Sequence, residues 1–437
     1  MKLRLIGAST AVLAVVATAA CGGGGTDGAS SGSAKTLTYW ASNQGTSLQN
    51  DKDVLGPELA KFEKQTGVKV NLQVIGWPDL LNKILAATTS GQGPDVLNIG
   101  NTWAASLQAT GAFMPFDAAA LDAVGGKDKF VEAAFKTGGA EGKDPTSVPL
   151  YGLVYGLYYN KKMFADAGLK PPTTWAELTA AATKLTNPGK GVYGMAMEGG
   201  SYTEGVHFAF IFGQQHGADP FDASGKPTFT TPGMIAGVKQ YTDLLASDKV
   251  VNPSSVQYKN GPEAPGDFAK GKAAMLMSQN NADNTLQADG MKSSEYGVVA
   301  IPAPAGAVKD TASFVAGINL SIFKNTKNKD AALKFVNFMT SKEEQAILDK
   351  PFTALPVVKG GEVNFTDSKE EAQAFADVLA TKAEPLPLIP AESAFETNVG
   401  NAVNGLLAQA ATGKAVSTSD IKAALQEAQD KMAAAGS

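Results

Sequence analysis

The chain has 437 residues, 44 % of them apolar, and a formal net charge of −5. That length suits two domains or one large bilobal unit with its own core, and the acidic balance excludes a basic nucleic-acid-binding surface. Cys21 is the only cysteine and there are two histidines, His207 and His216, so disulfides are excluded and zinc or thiol chemistry nearly so.

In chain order, Lys2 and Arg4 are followed by an apolar run from Leu5 to Ala17, then small residues and Cys21. A run of roughly 13 residues is too short to span a bilayer but fits the core of an export signal. Residues 1–20 therefore read as a signal peptide. The segment around Cys21 resembles the lipobox of bacterial lipoproteins, although Thr18 stands where a large aliphatic residue is usual. That resemblance implies lipidation at Cys21 and attachment to the outer face of the cell membrane, in the periplasm if the cell has an outer membrane. Plain secretion and a buried N-terminal helix are the alternatives. Residues 22–34, GGGGTDGASSGSA, have the composition of a flexible tether, so 21–34 reads as a lipid-anchored linker. No later segment is long and apolar enough to cross a membrane, so the lipid is the expected membrane contact. Loss of Lys2 and Arg4 would take the net charge from −5 to −7.

The body opens with an alternating strand at Thr36–Trp40, a helix over Glu58–Gln65, a strand at Val68–Val74, a helix over Asp79–Thr88 and a strand at Asp95–Ile99. This is the βαβ pattern of a parallel sheet covered on both faces. Further on, Leu153–Tyr159 reads as a strand, and Thr174 with Glu177 has the form of a capping box. Val192–Met197, Ala273–Met277, Tyr296–Ile301 and Phe314–Phe323 read as strands. Ala332–Met339 and the segment after Ser341 read as helices, and Ile421, Leu425, Ala428 and Met432 mark a final one.

Several stretches resemble the bacterial extracellular solute-binding proteins of the sugar type, the maltose-binding-protein-like family. They are PDVLNIGNTWAASLQATGAFMPFD (94–117), VPLYGLVYGLYYNKKMFADAGLKPPTTWAEL (148–178), DFAKGKAAMLMSQNN (267–281) and NKDAALKFVNFMTSKEEQ (328–345), in family order. The resemblance runs from about Thr36 to Met432. It implies a two-lobed, type II periplasmic-binding-protein-like α/β fold with a hinge and a ligand cleft between the lobes. One lobe would comprise 35–150 plus 300–346, the other 151–299 plus 347–437. It also implies a monomeric carrier of an ABC importer that closes on a sugar, delivers it to a membrane permease and does no chemistry, with no cofactor and no metal.

Sugar hydroxyls pair with carboxylates, amides and backbone groups, while the C–H face of the ring packs on aromatics. Sites in such sheets lie at the C-terminal ends of strands. Candidates there are Asn43 and Gln44 after the first strand, Asn101 and Trp103 after the third, and Tyr151 and Tyr155 at the threshold of the second lobe. Glu198, Tyr202, Glu204 and His207 fall in a glycine-broken loop after Val192–Met197. Asn280 and Asn281 follow Ala273–Met277, and Gly317 permits close backbone approach. Trp40, Trp77 and Trp175 read as packing residues. Near Asn281 and Glu396, maltose-type members often carry tryptophan, and both places are polar here, which argues against a maltodextrin and for a shorter sugar. The sole arginine, Arg4, leaves with the signal, so the bidentate clamp for anions is missing and a neutral ligand fits better. Rival readings are a glycosidase, a structural surface lipoprotein, and a carrier of a polyol or metal. For ferric ion the pair Tyr158–Tyr159 is ill placed, because neighbours in a strand face opposite ways.

Overall fold

The structure, a computed structural model, describes residues 36–435, so the expected signal segment, Cys21 and the tether lie outside the described residues. The first lobe is built on the early alternating segments. β1 (Thr36–Ser42) and β2 (Lys69–Ile75) pair in parallel, and β3 (Val96–Gly100) lies on the other side of β1. All five residues of β3 are buried, as expected of a central strand covered on both faces. The connecting helices are Leu48–Thr66 and Trp77–Ser90. The first begins ten residues before the expected Glu58 start. Ser47 caps it by accepting the Asn50 N–H, and Pro57 is accommodated inside.

The strand expected over Leu153–Tyr159 is two strands in different sheets. β4 (Ser147–Leu153) belongs to the first sheet and β5 (Tyr155–Asn160) to the second, with Val154 alone between them. β6 (Tyr193–Ala196), β7 (Ala273–Gln279) and β8 (Tyr296–Val299) complete the second sheet, in the order β6-β7-β5-β8. The region 314–323 also divides. β9 (Ser313–Phe314) pairs with β11 (Ala383–Glu384), while β10 (Ala316–Ile322) enters the first sheet between β3 and β4, antiparallel to both. The first sheet therefore reads β2-β1-β3-β10-β4.

The second lobe carries its own helical layer. Tyr202–Gln215 packs on Pro232–Ala246 and on Glu392–Ala411. Glycines set these distances: a Cβ on Gly237 would lie 2.4 Å from the Gly213 nitrogen, and one on Gly400 2.0 Å from the Tyr202 carbonyl. Thr174 and Glu177 form the reciprocal capping box at the start of Trp175–Leu185, where Trp175 packs edge-on against Phe212. Apolar side chains from both lobes join in one large core, with a smaller cluster around Leu80, Ile84, Ile99 and Trp103.

Candidate functional site

The strand ends of the first lobe face the helix starts of the second across a cavity of about 140 Å³. From the first lobe, the loop after β1 brings Asn43 and Gln44, and the turn after β3 brings Asn101, Thr102 and Trp103. Asp51 shapes the β1 loop. It is fully buried, and its carboxylate accepts the Gln44 N–H at 2.8 Å, the Gly45 N–H at 2.6 Å and the Asn43 amide at 3.0 Å. Burial pushes its carboxyl up to about 6 against the pull of those bonds. Trp77 donates its indole N–H to the Asn43 carbonyl at 2.8 Å and meets the Trp103 ring edge-on, with centroids 5.6 Å apart. Trp77 thus lines the cavity rather than only packing a helix start.

From the second lobe come Glu198, Glu204, His207, Asn281 and Glu396. Glu204 and His207 lie in a helix, Tyr202–Gln215, not in a glycine-broken loop, and Ser201 caps it by accepting the Glu204 N–H. Glu396, 1 % exposed, accepts the Trp103 indole N–H at 2.5 Å, a bond from lobe to lobe. Burial acts to raise its pKa, but the nearby His207 ring, with Thr102 and Glu392, outweighs this and holds it below the ordinary carboxylate value. Glu392, one helical turn earlier, is pushed far up by burial and by the charge of Glu396. The two neighbouring carboxyls are thus shifted in opposite directions, Glu392 up and Glu396 down. Glu198 is raised to about 8 by burial, and the neighbouring Glu263 and Glu204 charges add to this.

A polar chain runs behind the cavity. The Tyr155 hydroxyl lies 2.5 Å from Glu204 Oε1 and 2.8 Å from His207 Nδ1. If the phenol donates to Glu204, its oxygen accepts from Nδ1–H, and Nε2 then looks across 3.7 Å toward Glu396 Oε1. Glu204 itself is raised by burial, against the opposing His207 charge and the Tyr155 bond. Two further bonds join the lobes around the cavity: Asn284 donates to the Gln44 carbonyl at 3.1 Å, and the Ser393 N–H donates to Ser106 Oγ at 3.0 Å.

Four sequence candidates are not brought to the cavity wall. Tyr151 sits in β4, buried against Phe352. Tyr155 is fully buried and reaches the site only through Glu204 and His207. Tyr202 starts its helix beside the site without lining it. Asn280 is fully buried, with both ends of its amide bonded to backbone. Gly317 does line the cavity, and a Cβ there would lie 2.7 Å from the Tyr151 carbonyl, so the neighbouring strand already requires glycine. No local pattern marks Asp51, Asn284 or Phe314 as site residues; the last two line the cavity, and the Phe314 ring lies 4.4 Å from that of His207. Tyr158 is buried in the core, while Tyr159 packs on Phe164 and is partly exposed.

Residues 45–346 match the family described as bacterial extracellular solute-binding protein. The chain belongs to this family. This solute-binding protein is similar to a Brucella abortus (strain 2308) protein named as a binding protein, 27 % identical over 79 % of this chain and 82 % of that one. It is also 27 % identical to the diacetylchitobiose binding protein of Streptomyces coelicolor, over 95 % of each. The same fold occurs in an ABC transporter solute binding protein of Thermotoga lettingae bound with α-D-tagatose. That structure has a TM-score of 0.79 and 22 % identity, over 91 % of this chain and all of that one. The solute-binding protein is thus the exported, non-catalytic component of an ABC transporter, with the bilobed fold of its family.

Proposed function

We propose that this solute-binding protein captures a neutral monosaccharide or short oligosaccharide between its lobes and presents it to a membrane permease. The observation that carries the reading is the Trp103–Glu396 pair with its surroundings. An ionised carboxylate, two indole rings and several amides converge on one cavity, which matches the hydroxyls and the C–H face of a sugar. A cavity of about 140 Å³ has room for roughly five waters at about 30 Å³ each, the scale of a single ring rather than a long chain. The polar residues Asn281 and Glu396 give no extra stacking platform in the second lobe, in line with a short ligand. Of the ligands named for its relatives, tagatose is a single ring and diacetylchitobiose has two. In this reading the protein is a monomer, with lobes 35–150 plus 300–346 and 151–299 plus 347–437, tethered through a lipid on Cys21.

The test is thermal unfolding against neutral mono- and oligosaccharides, polyols, amino acids and ferric ion. A ligand at 100 times its dissociation constant stabilises the folded state by about 2.7 kcal/mol. A shift with one sugar class supports the reading. A shift only with a polyol, an amino acid or iron keeps the carrier and overturns the sugar, and no shift with any compound favours a structural lipoprotein. Metabolic labelling with a fatty acid, lost in Cys21→Ser, tests the anchor.

A further inference from the structure

The side-chain donors on the first-lobe wall of the cavity already have partners within the protein. Asn43 donates both amide hydrogens inside its own lobe, to the Gly45 carbonyl at 2.9 Å and to Asp51 at 3.0 Å. Gln44 donates both of its own to Ser42 Oγ and to the Asn43 carbonyl, each at 3.1 Å. Asn101 donates to the Val315 carbonyl at 2.8 Å, and Asn284, reaching over from the second lobe, to the Gln44 carbonyl at 3.1 Å. Both indoles are committed as well, Trp77 to the Asn43 carbonyl at 2.8 Å and Trp103 to Glu396 at 2.5 Å.

A backbone carbonyl only accepts, so each of these four amides is fixed with its nitrogen toward the protein and its oxygen left over. Among the described residues no donor reaches Asn43 Oδ1, Gln44 Oε1, Asn101 Oδ1 or Asn284 Oδ1, and all four side chains line the cavity. Glu396 adds a carboxylate whose Oε1 has no hydrogen bond. The β1 loop cannot readily turn its amides round. Asp51 holds it by the Gln44 and Gly45 N–H groups as well as by Asn43, and a Cβ on Gly45 would lie 2.8 Å from Asp51 Oδ1. Side-chain donors that remain at the wall are on the second lobe, Asn281 and the exposed Lys259 among them.

We infer that the cavity selects a sugar whose free hydroxyls donate to the amide oxygens of Asn43, Gln44, Asn101 and Asn284. The ligand class is therefore an unsubstituted, hydroxyl-rich sugar. Its methyl ethers and its uronic acid are discriminated against, because an ether or carboxylate oxygen only accepts and would meet another acceptor there. The inference deepens the sugar reading and rests on it.

The experiment measures dissociation constants by calorimetry on the full chain with Cys21→Ser. The probes are whichever of D-glucose, D-galactose, D-mannose, D-tagatose and maltose binds most tightly, with its deoxyfluoro and amino-deoxy analogues at each hydroxyl position. Fluorine cannot donate, and an ammonium donates but cannot accept. At two or more positions fluorine is expected to weaken binding about tenfold or more, as befits a buried acceptor left unmatched. At those same positions the ammonium is expected to bind within about threefold of the unmodified sugar, or tighter. Gln44→Met and Asn101→Leu each remove one acceptor, and each should reduce the fluorine penalty at one position to about twofold or less. Fluorine tolerated at every position overturns the inference and leaves the sugar carrier standing. So does an ammonium rejected wherever fluorine is rejected, or a set of penalties unchanged in both folded variants. If neither variant folds, the series on the unsubstituted cavity decides alone. Failure of the sugar reading looks different: none of the five unmodified sugars binds, and the inference falls with it.

Discussion

The Trp103–Glu396 bond is the most direct test of how the cavity is built. Donor and acceptor are each 1 % exposed and 2.5 Å apart, and they belong to different lobes. A hydrogen bond to a charged acceptor contributes about 1.5–3 kcal/mol. Trp103→Phe removes the donor but keeps an aromatic ring to meet Trp77. Glu396→Leu removes the acceptor together with its cost of burial, so the two single changes have different stabilities for reasons unrelated to the bond. The double-mutant cycle cancels those differences. Urea unfolding of the ligand-free protein, followed by circular dichroism, is expected to give a coupling of about 1.5–3 kcal/mol. The pH dependence has a defined sign. Glu396 has a lowered folded-state pKa, so its contribution is present above the ordinary carboxyl value and is lost only as pH falls through the lowered one. The coupling should therefore persist unchanged from pH 7 to about pH 5. A coupling within about 0.5 kcal/mol of zero at pH 7 would refute the reasoning: the lobes would not meet at this point in solution, and Glu396 would not be a wall of the cavity in the free protein.

Three further outcomes are expected. Thr174→Ala removes the capping box and should cost about 0.5–2 kcal/mol in urea unfolding, with sugar affinity unchanged. Glu198 is raised from 4.5 to about 8, so across that window the native state holds a proton that the unfolded chain has lost, and stability falls as pH rises. Glu198→Gln should remove this slope, raising the melting temperature relative to the parent at pH 8 but not at pH 4; parallel slopes would contradict the assignment. Gly237→Ala forces a Cβ against the Gly213 backbone and should destabilise by about 1–3 kcal/mol or more through overpacking, visible as a lowered urea midpoint.

The parallel start of the first sheet was legible because Thr36–Trp40 and Val68–Val74 alternate cleanly, and alternation is a local property. The break at Val154 was not. Leu153 to Tyr159 is one continuous apolar run, and nothing in it records that its two ends join different sheets. β4 was missed for a related reason: all seven of its residues are buried, so there is no polar face to set a period. Two helix starts were readable and passed over. Ser47 and Ser201 are both N-caps, and Ser201 stands three residues before a glutamate in the capping-box pattern, but Gly199 and Gly200 beside it suggested a loop. That error placed Glu204 and His207 on a loop. It also hid Asp51, which lies in the unrecognised first turn of the Leu48–Thr66 helix and organises the β1 loop. The direct bond between Trp103 and Glu396 spans 293 residues, and no local pattern encodes such a pairing.

The insertion of β10 between β3 and β4 also governs how the chain matures. Gly100 of β3 has Ile318 as its partner, more than two hundred residues later. At about 5–20 residues per second, a ribosome needs roughly 10–40 s to span that interval. Until then β3 keeps an open edge, and the first lobe cannot close its sheet. The contacts that would reward early folding are long-range and late, which slows folding in general. A chain destined for export thus spends most of its synthesis with its central sheet unfinished, and the strand that completes it is among the last quarter or so of the sequence to be made.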